Sequence, residues 1–118
     1  MRNSFFSVLS CAFLICLSVG AQALECPTPQ SAAKPGVIVE AEAVIAEMMP
    51  LLAQGDATQR ASGIVAYARK RFPTAQPGEI VNFLITAYCP VANGQNISEA
   101  DKQTLVNNFA TAVTRQLY

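Results

Sequence analysis

The chain of 118 residues has no histidine and no tryptophan, and only 14% of it is charged. Without imidazole there is no Ser-His-Asp or Cys-His catalytic group, no His-bearing zinc site and no histidine switch near neutral pH. Eight Lys and Arg balance eight Asp and Glu, so the basic surplus of a dedicated nucleic-acid binder is missing too. No Gly-rich loop follows a strand, no cluster has metal-ligand spacing, and no hydroxyl has an evident base. Neither a cofactor nor a metal is therefore expected. There is no internal repeat or low-complexity tract, and the length suits one domain.

The most specific signal present concerns export. Arg2 supplies a short positive region, Phe5 to Val19 an apolar stretch of about fifteen residues, and Ala21-Gln22-Ala23 a small-x-small cleavage site. A retained membrane anchor needs about twenty apolar residues, and Gly20 and Gln22 end this run early. Cys11 as a lipid acceptor would leave an apolar region of only about five residues before it, shorter than export signals use. Cleavage after Ala23 is the expectation, with residues 1–23 a signal peptide and 24–118 a single helical domain. Removing 23 residues from 118 leaves 95, and because only Arg2 is lost, seven cations then face eight acids. About half of what remains is apolar, the composition of a globular domain. A periplasmic or secreted location follows, with no stable membrane span once the signal is gone.

Cys11 and Cys16 leave with the signal. That leaves Cys26 and Cys89, an even number in an oxidising compartment, and a disulfide between them is expected. A redox-active pair favours Cys-x-x-Cys spacing, whereas these lie 63 positions apart.

Residues 24–36 hold Pro27, Pro29 and Pro35 without an apolar period and read as an extended arm. From Val37 the pattern turns helical. Val37, Ala41, Val44, Ile45, Met48, Leu51 and Leu52 share one arc, with Glu40, Glu47 and Gln54 opposite, predicting a first helix over 37–54. Pro50 conflicts with that helix and should bend it. Gly55 stops it, and Asp56 with Gln59 resembles a capping box opening a second helix over 57–72, ended by Pro73. Its stripe of Ala57, Ala61, Ile64, Val65, Ala68 and Phe72 is rich in alanine, permitting close approach.

Pro77 and Glu79 suit the start of a third helix over 77–89. Its apolar residues cover most of the circumference, which marks it as the central element; a buried strand over Ile80 to Tyr88 is the alternative. Ser98 and Asp101 open a fourth helix over 99–117, with Leu105, Val106, Phe109, Ala112, Val113 and Leu117 facing inward. The fold class is all-α: a small four-helix bundle with an extended N-terminal arm stapled by one disulfide.

Four groupings bear on chemistry. Glu40 and Glu47, two turns apart, place paired carboxylates on the face opposite the core, where a solvated surface is the simpler reading. Arg60, Tyr67 and Arg71 fall within about 40° on a helical projection and form a candidate anion clasp; the neighbouring Arg69-Lys70-Arg71 run also suits a helix C-terminus. Asn96-Ile97-Ser98 fits a glycosylation acceptor, but Ser98 serves better as a cap. The Met48-Met49 pair suits core filling more than an adaptable contact surface.

In size, helical content, signal peptide and one long-range cysteine pair, Cys26 with Cys89, the chain resembles the periplasmic acid-stress chaperones of bacteria. That resemblance implies opening at low pH and holding of unfolding clients. The residues themselves point first to a non-enzymatic binding or interaction module of the cell envelope, with a protein or small-molecule partner there. A small enzyme with a carboxylate-based site is the third possibility.

Overall fold

The computed structural model describes residues 23–30, 35 and 37–118. The expected signal peptide, Ala23 apart, and the middle of the expected arm lie outside the described residues. The helices are α1 (Glu42–Ala53), α2 (Ala61–Arg71), α3 (Pro77–Asn93) and α4 (Glu99–Leu117), with no strand among the described residues. α3 is the hub: it packs against each of the other three, and α4 also packs on α2. Its Ile80, Phe83, Leu84, Ala87 and Ala92 are all buried. The stripes read from helical periodicity are the ones that face inward, with Ile45, Met48 and Leu52 from α1, Ile64, Val65 and Ala68 from α2, and Val106, Phe109, Val113 and Leu117 from α4.

Three helix ends depart from the pattern, each for a local reason. α1 begins at Glu42 rather than at Val37, because the Glu40 backbone N–H donates to the Gln30 carbonyl at 2.8 Å and holds residues 38–41 extended. Ile38 is buried from that extended segment, so a helical arc drawn through Val37 and Ala41 captures apolar character that is not helical.

α2 begins four residues after Ala57. Asp56 Oδ1 accepts from the Thr58 N–H at 3.0 Å, a side-chain turn, and the Arg60 N–H reaches back to the carbonyls of Asp56 and Ala57. The capping box expected of Asp56 and Gln59 is therefore replaced by a turn, and Ala57 is buried ahead of the helix. α3 runs past Cys89 to Asn93. Pro90 lies exposed in its last turns, and the Gly94 N–H still closes on the Pro90 carbonyl at 3.0 Å, so the lost donor does not end the helix.

Two ends match their signals. Gly55 adopts φ +59°, the left-handed conformation that a glycine after a helix takes without strain. Ser98 Oγ accepts from the Asp101 N–H at 3.1 Å and caps α4. The sulfurs of Cys26 and Cys89 lie at bonding distance, with Cα atoms 5.4 Å apart. They join the arm to the interior of α3, where Cys89 is 1% exposed.

Candidate functional site

The residues of the expected anion clasp divide between two tasks. Arg60 stands at the N-cap of α2 rather than within it, so the helical projection does not govern its direction. Its Nη1 donates to the carbonyls of Leu51 at 2.9 Å and Gln54 at 2.7 Å, which closes the C-terminal end of α1 with a cation that the dipole favours. Tyr67 and Arg71 do come together, but around an acid of the chain itself. The Tyr67 hydroxyl donates to Glu47 Oε1, and Arg71 Nε lies 3.5 Å from the same oxygen. The tyrosine hydrogen bond, and then the Arg71 charge, hold the Glu47 carboxyl below its ordinary value, while the same bond raises the Tyr67 phenol. This cluster ties α1 to α2 at an exposed surface.

Glu40 and Glu47 do not form a pair. The expectation that both face solvent is corrected at Glu40, which is only 4% exposed because its segment is extended and not helical. Glu40 lines a cleft of about 320 Å³ between the arm and α3, with Pro27, Thr28, Gln30, Val37, Asn82, Ile85 and Thr86 as the other walls. Burial pushes its carboxyl above the ordinary value, opposed in part by a hydrogen bond from the Gln30 backbone. Among the described residues, no other lining residue carries a charge. The Thr86 hydroxyl donates to the Asn82 carbonyl at 2.8 Å.

Glu40 is the buried acid that periodicity assigns to the wrong face. A signal for it exists in Val37-Ile38-Val39, a β-branched run immediately before it, which favours extended backbone over helix. The Met48-Met49 pair also divides: Met48 fills the core and Met49 is exposed.

Two other hollows carry less chemistry. One, near Leu52, Asp56, Tyr88 and Gln95, has about 300 Å³, and the Tyr88 phenol beside it is raised by burial and by the Asp56 charge. The other lies between Ile38, Arg71, Phe72 and Glu79. Among the described residues, no group of three or more cysteine or acidic side chains is placed to hold a metal ion, and no helix is long and apolar enough to cross a membrane. No protein-family model matches the chain, and no curated protein or solved structure is detectably similar to it.

Proposed function

We propose that this chain is an exported, non-enzymatic binding module of the cell envelope, and that its ligand occupies the cleft between the arm and α3 with Glu40 as polar anchor. One observation carries the reading: a buried carboxyl forms one wall of a concave, largely apolar cleft, and among the described residues no other lining residue is charged. Pockets with apolar walls, a few convergent polar groups and a perturbed acid are the usual form of a small-ligand site. Val37, Ile85 and Pro27 suit an aliphatic body, and Glu40 suits an ammonium or amide donor at its head. Among the described residues the lining holds one carboxyl and no second acid or base, whereas glycosidases work with a carboxyl pair, which supports binding over that kind of turnover.

The test is an amide-resolved NMR titration of the exported protein with n-hexylamine and, in parallel, its N-acetyl derivative. The expected result is saturable shifts at Thr28, Gln30, Asn82 and Thr86 for the amine, with affinity reduced about tenfold by Glu40→Gln, the loss of one charge-assisted hydrogen bond. Equal affinity in the two proteins, or shifts confined to other residues, overturns the assignment.

A further inference from the structure

The backbone nitrogen of Leu24 donates to Glu99 Oε2 at 3.0 Å, and Lys102 Nζ lies 2.9 Å from the other oxygen of that carboxylate. Leu24 is half-buried and packs on the core, whereas Ala23 before it is exposed. The first residue that the small-x-small signal would leave is thus seated on a carboxylate, and the last residue it would remove is in solvent. We propose that removal of the signal at the Ala23–Leu24 bond turns this contact into an ion pair, making Glu99 the receptor for the chain's own new amino terminus.

The inference rests on the export reading above and adds a consequence of processing to it. A leader peptidase adds water across the bond: the water oxygen goes to the Ala23 carbonyl carbon, which departs as a carboxylate. Both water hydrogens end on the Leu24 nitrogen, which becomes an ammonium. Before cleavage that nitrogen is a neutral amide with one proton to donate; afterwards it carries a full charge and three. Glu99 lies in the first turn of α4, where the helix dipole favours an anion and disfavours a cation. The ammonium is therefore held there only through Glu99. Lys102, 12% exposed at its side chain, supports the carboxylate from one turn further on. Asp101, the other acid of that turn, is exposed, and Glu25 follows Leu24 at the surface. The arm is then fastened at Leu24 to α4 and at Cys26 to α3, two residues apart.

The experiment uses protein exported by a host and purified in its processed form. Intact mass is read first: a chain beginning at Leu24 is expected, and any other start overturns both the export reading and this one. Selective acetylation of the α-amine removes the charge but leaves an N–H. In the unmodified background acetylation is expected to lower Tm by roughly 2–4 °C, the scale of a partly exposed ion pair in a domain of this size. In Glu99→Gln the ammonium faces the positive end of α4 alone, so acetylation is expected to leave Tm unchanged or raise it. Equal shifts in both backgrounds, or none in the unmodified protein, with a correct mass, overturn the receptor role and leave processing intact. NMR titration of the Leu24 amine gives an independent reading: an apparent pKa above the ordinary range of about 7.7–8.0 is expected, and a value within it counts against the pair.

Discussion

Replacing both Cys26 and Cys89 with alanine removes the tether between the arm and α3 without leaving a lone thiol in the core. The two lie 63 positions apart. In the chain-entropy model, closing a loop of that size restricts the unfolded chain by an amount equivalent to about 4 kcal/mol at 25 °C, and measured losses on removing native disulfides in small secreted domains span about 2–5 kcal/mol. A domain of this length has a total stability of roughly 5–14 kcal/mol, so the double variant should lose a large share of it and, at the low end of that range, be partly unfolded at 37 °C. The assay is urea unfolding followed by circular dichroism. A higher m-value is expected alongside the lower midpoint, because the untethered denatured chain exposes more surface. Burial adds to the entropic term, since Cys89 is 1% exposed and its loss leaves a small void. A loss below about 1 kcal/mol, or full alkylation of both thiols in exported protein that has not been reduced, would refute the reasoning.

Phe83→Ala should lose about 3–5 kcal/mol in the same assay, because the ring is fully buried and meets Phe72 edge-on at 4.8 Å. The glycines should act in opposite directions: Gly55→Ala lowers stability by about 1 kcal/mol through its positive φ, while Gly63→Ala, exposed within α2 with open space around it, raises it by about 0.5–1 kcal/mol. For acid, the carboxyls of Glu47 and Glu99 lie below their ordinary value in the folded state, so their contribution is present above the unfolded value and is lost as pH falls through the folded one. Glu40 has the opposite sign: its folded value is raised, so its penalty exists at neutral pH and vanishes in acid, and Glu40→Gln should raise Tm at pH 7 but not below about pH 4. At about pH 2 a chain beginning at Leu24 would carry seven charged Lys and Arg side chains over 95 residues, a mild repulsion that should leave it compact by circular dichroism. A sharp opening below about pH 3 with suppressed aggregation of an acid-labile client would instead support the chaperone alternative.

Much of this bundle is legible in period alone, because burial of one stripe per helix is what stabilises it. Val106, Phe109, Val113 and Leu117 recur at three and four residues and are buried together, and Ser98 caps the helix that carries them. Helix ends are less legible where tertiary partners compete for backbone groups. Glu40 gives its N–H to Gln30, a residue ten positions earlier, and no local pattern reports that bond. Pro90 is tolerated in the last turns of a helix that packs against the other three. The candidate site divides similarly. The expected loss of Cys11 and Cys16 with a signal leads directly to Cys26 and Cys89, whereas a projection of α2 shows Tyr67 and Arg71 side by side but not the Glu47 carboxylate that faces them from α1.

The outer face of α4 has no tertiary obligations. The hydroxyls of Thr104, Thr111 and Thr114 each bond back to a carbonyl four residues earlier in the same helix, and Asn107 pairs with Gln103 one turn away. Nothing across the bundle depends on these side chains. α3, packed against the other three helices, has fewer such positions, chiefly Gly78, Asn82, Pro90 and Asn93. The bundle thus combines a constrained central helix with a permissive outer face on α4. Random drift that would unfold the protein if it struck Phe83 or Ala87 can accumulate at exposed positions of α4 such as Gln103, Thr104, Asn107, Thr111 and Thr114 at little thermodynamic penalty. α4 is consequently the surface on which this scaffold can acquire a new binding specificity, by selection or by engineering, while its fold stays as it is.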